Sequence, residues 1–419
     1  MTILFDIFFA VYILLYLPVL VFKGKWHDGF KARLGFIPQD MRRRLSEKKN
    51  IWLHAVSVGE VVAIEGLAKG LGSRYPDHQI VVSVTTKAGY ALAEKKYKDG
   101  ALVIWSPLDF SVTARAFVKC IQPVIYIAAE TELWPNLFNV LSRKQVPGVI
   151  VNGRISDEAF GKYKMVRWAL KGLLANIKAF VMQSELDAQR IIALGACPNR
   201  VRMLGNVKFD NIPQVQSASP AGFGFEDGQK IFVAGSTHPG EEEIVLKAME
   251  HLKTKFSDLR LVIAPRHPER ARDVADIVRK RGMNPVFLSA RRQALKATDV
   301  LVVDTVGQLV QLYSISTLVF VGKSLTVKGG HNIIEPALFA KPMIVGPYME
   351  NFRDIVQIFK ADNALGMVQS ADDFENEAAR FLASADLRHD LGRRAQAVVE
   401  KNRGATGRTL KVIEEFLGR

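Results

Sequence analysis

Short runs of Val, Ile and Leu recur along the chain, separated by helix-compatible stretches such as 61–74 and 87–96. In the first half the runs fall at 51–56, 80–85, 102–105, 124–128, 149–152, 180–183 and 201–204. Few of them alternate strictly between apolar and polar residues, which predicts parallel strands covered on both faces. Strand and helix in alternation predict a doubly wound α/β domain. A segment with Pro213, Pro220 and several Ser, Ala and Gly then interrupts the pattern, as a linker does. The same rhythm restarts at 231–234, 261–264, 285–288, 300–303, 317–321 and 342–346. No solenoid-type repeat is present. Two α/β domains are expected, at 23–205 and 229–419, joined by a linker at 206–228. If they face each other, a cleft would lie at the carboxyl ends of both sheets.

Length agrees, since 419 residues exceed one ordinary core. Charge narrows the partners: 57 Lys+Arg against 42 Asp+Glu leave a formal net charge of +15. That balance suits nucleic acid, an anionic membrane surface or a phosphorylated substrate. The two cysteines, Cys120 and Cys197, have no metal-ligand spacing around them, so neither a disulfide framework nor a zinc site is expected. From Met1 to Phe22 the single charged side chain is Asp6, and Lys23, Lys25, Arg33 and Arg42-Arg43-Arg44 follow. An apolar stretch close to the ~20 residues of a spanning helix, with basic residues after it, predicts a membrane-anchor helix over 1–22. The bulk of the protein would then face the cytoplasm. Pro18 and the length leave an interfacial helix open as well.

The chemistry is to be sought at the strand ends. His54-Ala55-Val56-Ser57-Val58-Gly59-Glu60 ends one strand and carries Glu60 into a helix, as a general base or as a helix-start acid. Ala129-Glu130-Thr131-Glu132-Leu133-Trp134-Pro135-Asn136 places two acids after another strand. Gly205-Asn206-Val207-Lys208-Phe209-Asp210 offers a lysine for a phosphate or carboxylate, unless it is merely solvated. In the second half, Gly235-Ser236-Thr237-His238-Pro239-Gly240 forms a plausible anion nest. Pro265-Arg266-His267-Pro268-Glu269-Arg270 offers Arg266 for a bidentate phosphate contact or for an ion pair. Asp304 to Leu309, with Gly307 and Gln308, makes a turn whose backbone could approach a base or phosphate. Gly329-Gly330-His331-Asn332-Ile333-Ile334-Glu335-Pro336 precedes a helix-like stretch running to Ala340. There the glycines and a helix start suit an anion and Glu335 suits a ribose, the plain alternative being a tight turn with a dipole-favoured acid. No Walker A motif, G-x-G-x-x-G fingerprint or dense Asp/His cluster occurs.

Taken in order, Ser57-Val58-Gly59-Glu60, the Glu130–Asn136 segment, Lys208-Phe209-Asp210, the Pro265–Arg270 segment and the Gly329–Pro336 segment resemble the 3-deoxy-D-manno-octulosonic acid (Kdo) transferases of lipid A assembly. The resemblance runs from about Leu4 to the C-terminus. It implies a GT-B fold, with two Rossmann-like domains, the acceptor on the first and the activated sugar on the second. It also implies transfer of Kdo from CMP-Kdo to a tetra-acylated lipid A precursor at an anionic membrane surface. Neither a nucleic-acid polymer nor a cofactor or catalytic metal is expected. Glu60 would be the base, and Glu130 and Lys208 would stabilise the transition state, with Glu130 alternatively holding the acceptor. Pro265, Arg266, Gly307, Gln308, Leu309, Asn332, Ile333, Ile334 and Glu335 would bind CMP, with Gly329 and Gly330 shaping the loop. Ser236, Thr237 and His238 would serve the Kdo carboxylate. Gln308 departs from the acid expected there in many relatives. A nucleotide-sugar 2-epimerase and a non-catalytic membrane-tethered glycolipid binder are the competing readings.

Overall fold

The computed structural model describes Asp6, Val11 and residues 29–211, 217–291 and 293–418. The chain divides into two compact units, Met1–Asn211 with Asn402–Arg419, and Ile212–Lys401. The first is built on β1 (Lys49–Ala55), β2 (His78–Val84), β3 (Ala101–Trp105), β4 (Pro123–Ala129), β5 (Gly148–Gly153), β6 (Ala179–Met182) and β7 (Val201–Met203). All are parallel, in the order β3-β2-β1-β4-β5-β6-β7. β1 explains the missing alternation. Ile51, Leu53 and Ala55 face one core with Leu67, Leu71 and Ile413, while Trp52 faces the other with Phe117, Tyr126 and Phe138. Each such side chain, fully buried, is worth about 1.5–3 kcal/mol of hydrophobic stabilisation.

The second unit repeats the design with β8 (Lys230–Thr237), β9 (Leu259–Pro265), β10 (Asn284–Phe287), β11 (Asp299–Val302), β12 (Leu318–Val321), β13 (Met343–Val345) and β14 (Gly366–Met367). The order is β10-β11-β9-β8-β12-β13-β14, again all parallel. In each sheet the chain crosses from one half to the other at a single gap, between β1 and β4 and between β8 and β12. Ligands of open α/β sheets bind outside the strand ends at such switch points.

Three expectations need correction. The C-terminal helix Ala405–Leu417 belongs to the first unit, not to a domain ending at residue 419. Its Leu410, Val412 and Ile413 join the first unit's core, and Gly66 and Gly70 leave room for Thr406 and Leu410. Asp210 fixes its start by accepting hydrogen bonds from the Gly404 and Thr406 N–H groups, both at 2.6 Å. The segment 206–228 is not all linker either, because Val207, Phe209, Phe223 and Phe225 are buried in short 3-10 turns or beside them. The helix expected through Ala340 is just Ile334–Leu338, five residues long. The anchor expected over 1–22 lies outside the described residues, save Asp6 and Val11. No helix among the described residues is long and apolar enough to cross a membrane.

Candidate active site

Glu60 stands in the first turn of helix Val58–Ala63, directly after β1. Ser57 caps that helix, and its hydroxyl donates to Glu60 Oε1 at 2.8 Å while the Val56 N–H donates to Oε2 at 2.7 Å. The carboxylate is therefore both a helix-start acid and a fixed, buried group with lone pairs to spare. Burial raises its pKa and the neighbouring Glu130 charge adds to the rise, while the hydrogen bonds oppose it. A carboxylate tuned upward in this way is suited to general-base work near neutral pH.

Across the switch point, Glu130 follows β4 with a left-handed backbone, φ 53°. Its carboxylate meets Lys208 Nζ at 3.5 Å and Arg154 Nε at 3.4 Å, bringing together the ends of β4, β5 and β7. Lys208 is thus held beside an acid rather than solvated. A chain of buried amides supports it. Asn152, itself left-handed at φ 53°, accepts from the Val207 N–H, Gln183 donates to the Asn152 carbonyl, and Asn206 donates to Gln183 at 2.7 Å. Asn206 also accepts from the Lys208 N–H.

Glu132, in the sequence one of two acids after a strand, is a third member of the group. Its pKa is pushed up to about 8, first by burial and then by the Glu60 and Glu130 charges, so three acids share one end of the sheet. Beneath them burial pushes His54 down to about 3, leaving a neutral ring whose Nδ1 pairs with Ser83. Asp109, raised to about 7 mainly by burial, accepts from the Asn136 and Leu137 N–H groups and so caps helix Pro135–Arg143. Neither His54 nor Asp109 could be assigned a role from spacing, because their partners lie 27 to 29 residues away.

In the second unit, Ser236, the last residue but one of β8, has φ 56° and bends the strand end toward His238. The turn is not the open nest that small residues suggest. Glu241 is fully buried and accepts the N–H groups of His238, Lys323, Ser324 and Leu325 at 2.8–3.0 Å. Thr237 is buried with its hydroxyl donated to Glu242, which also pairs with Arg270. Thr237 is accordingly a structural residue here. His238 remains at the surface of the turn, 5.3 Å in ring-centroid distance from His331 and 6.2 Å from His267. Burial lowers both His238 and His331, the latter to about 3.

Arg266, exposed at the end of β9, is close enough for its charge to lower both His331 and Glu335. Glu335 accepts from Asn332 Nδ2 at 3.1 Å, and burial raises its pKa against those two influences. Asn332 Oδ1 takes the Ile334 N–H, and the Ile333 and Ile334 side chains are buried, so those two residues offer backbone alone. Gly329 and Gly330 have φ 132° and 71°, and a side chain on the first would run into Lys323 and Asn351. Lys323, with φ 57°, is a cation at this loop that no motif revealed. Pro265 is buried at the strand end. Gly307 turns with φ 95° into helix Leu309–Ile315, and Gln308 lines an open pocket of about 480 Å³ with Thr305, Ser289 and Arg291. The structure thus gathers Arg266, His238, His331 and Glu335 into one polar group around a single exposed guanidinium and sets Gln308 at a separate pocket.

Residues 28–211 match the family described as 3-deoxy-D-manno-octulosonic-acid transferase (kdotransferase), and residues 229–398 match glycosyl transferases group 1. The 3-deoxy-D-manno-octulosonic acid transferase of Haemophilus influenzae is 32% identical over 88% of each chain. Among solved structures, Acinetobacter baumannii MurG superposes with a TM-score of 0.58 at 12% identity, covering 88% of this chain and 99% of that one. UDP-GlcNAc 2-epimerase from Neisseria meningitidis gives the same score, identity and coverage, so these two likenesses speak for the GT-B fold alone. The sequence match and the two glycosyltransferase regions decide the rest: the chain is a glycosyltransferase and belongs to the 3-deoxy-D-manno-octulosonic acid transferase family.

Proposed function

We propose that this enzyme transfers Kdo from CMP-Kdo to a tetra-acylated lipid A precursor (lipid IVA), with inversion at the anomeric carbon, in lipopolysaccharide core assembly. The observation that carries the reading is Glu60, a buried carboxylate with a raised pKa, set across the switch point from the Glu130–Lys208–Arg154 cluster. Glu60 takes the proton of the attacking sugar hydroxyl as its oxygen bonds to the anomeric carbon. The electron pair of the broken bond leaves with CMP on the opposite face. Glu130 and Lys208 stabilise the charge that develops in the transition state.

On the second unit, Arg266 receives the leaving phosphate and Glu335 the ribose. The backbones of Gly307, Gln308, Leu309, Asn332 and Ile333 contribute donors, Ile334, whose N–H is held by Asn332, shapes the turn, and Pro265 fixes the approach of Arg266. Helix Ile334–Leu338 is too short for much of a dipole, so Arg266 carries most of the neutralisation in this scheme. His238 serves the Kdo carboxylate together with the Ser236 turn. The apolar residues of 1–22 hold the enzyme to the inner membrane and the +15 charge favours its anionic face, with the catalytic units in the cytoplasm.

The test is a transfer assay with CMP-Kdo and the tetra-acylated precursor, comparing wild type with Glu60→Ala and resolving products by mass. Products heavier by one or more Kdo groups, absent with the variant, are expected. No mass gain from a wild-type enzyme that still binds CMP would sink the proposal.

A further inference from the structure

Helix Asp157–Met165 and helix Arg167–Leu174 meet at Val166, where the backbone leaves helical geometry (φ −111°, ψ 20°). The inward side of this pair is accounted for. Phe160, Tyr163 and Leu170 pack on the first unit's core, and Leu173 and Leu174 are buried in it. The outward side is not what a soluble surface calls for. Met165 is 79% exposed, Val166 44% and Trp168 74%. At about 100° per residue, Trp168 is roughly 160° around its helix from Leu170, so it cannot share that residue's core contact.

Basic residues frame these apolar side chains. Lys162, Lys164, Arg167 and Lys171 are all exposed, against Glu158 and Asp157 at the far end of the first helix. Glu158 is paired with Lys162 and Asp157 with Arg190. An exposed Trp among aliphatic side chains, ringed by cations, is the composition of an interfacial membrane contact. It is a poor fit to a protein partner core, where lysine is depleted. Its position fits as well. Arg154, which pairs with Glu130, lies two residues before the Ser156 cap of the first helix, and nine helical residues span about 13 Å. A bilayer touching the tip would present a lipid-borne acceptor about one helix length from the carboxylates.

We propose that the Met165–Trp168 tip, with Lys162, Lys164, Arg167 and Lys171, is a docking surface for an anionic lipid bilayer. This rests on the membrane-surface reading above and gives it a location. The test uses the full chain with sucrose-loaded vesicles of phosphatidylcholine, with and without phosphatidylglycerol. At roughly 1 kcal/mol per basic residue near the surface, Lys164→Glu with Arg167→Glu lowers partition onto the anionic vesicles about tenfold or more, and far less onto neutral ones. Met165→Ser with Trp168→Ser weakens binding to both. The residues of 1–22 contribute to partition in the proposed function, so brominated lipid supplies a second reading. Quenching of tryptophan emission should be larger in wild type than in Trp168→Phe, which still binds. Unchanged partition together with no Trp168-dependent quenching overturns the proposal. So does lipid-free self-association of wild type that Trp168→Ser abolishes, because the tip would then be a contact between copies. Vesicle binding needs no turnover, so an enzyme that fails to transfer Kdo yet loses binding on substitution refutes the function and leaves the surface standing.

Discussion

The carboxyl ends of the two sheets share a strand–turn–helix geometry but finish it with different materials. The first unit gathers acids there: Glu60, Glu130 and Glu132 act on one another's charge, and Lys208 and Arg154 pair with Glu130. The second unit turns its acids inward. Glu241 and Glu242 are buried and spent on fixing loops, which leaves the cations Arg266 and Lys323 at the rim beside neutral histidines. A buried carboxylate beside other carboxylates resists ionisation and makes a base, whereas a loop whose acids are internally satisfied presents a net positive rim. One residue type does opposite work according to which way it points.

Substitutions at these ends can break the contrast. The largest effect is expected from Glu60→Gln, which keeps the cap but removes the base. Transfer should fall by about 10²–10⁴-fold, while CMP affinity measured by calorimetry stays at the wild-type value. Glu241→Ala should act on folding instead. It strands four N–H groups at about 1–3 kcal/mol each before relaxation, and a net loss of about 3–5 kcal/mol in chemical denaturation of the second unit is expected. If Glu241 were instead a site acid, transfer would collapse without a change in stability.

Arg266→Ala should weaken CMP binding by about 10- to 100-fold, the worth of a charge-assisted hydrogen bond, and leave the first unit's pH behaviour alone. The smallest effect concerns Glu132. Its folded pKa of about 8 exceeds the ordinary value of 4.5, so the stability it lends is full below about pH 4.5 and is lost as pH rises through about 8. Glu132→Gln, neutral throughout, should shrink the drop in denaturation midpoint between about pH 6 and about pH 9. An undiminished drop would place the titration elsewhere.

How far the chain could be read follows from the same contrast. The strands were legible because both faces of each sheet are buried, which leaves unbroken runs such as 149–152; Gly366–Met367 escaped because two residues make no pattern. Glu60, Glu130 and Lys208 were legible as polar residues at strand ends, and the structure brings the latter two into contact. The amides that hold them were not. Asn152 and Gln183 are merely the polar last residues of two apolar runs, and Asn206 a turn residue, until the ends of β5, β6 and β7 lie side by side. Glu241 is the sharper case. In the sequence it is one acid of an acidic first helical turn, and only the fold reveals that its carboxylate points back toward the residues after β12. Terminal helices pose a similar problem, since an apolar stripe says that a helix packs but not on which unit.

The return of helix Ala405–Leu417 to the first unit also bears on synthesis. By connectivity the second unit is an insertion, so residues 1–211 leave the ribosome lacking the helix that covers one face of their sheet. Until that helix emerges, the surface meant for Leu410 and Ile413 stays open and the second unit is free to fold first. A nonsense codon within Ala405–Leu417 would therefore damage the unit made earliest, and fragments cut at the linker should yield an aggregation-prone amino-terminal half.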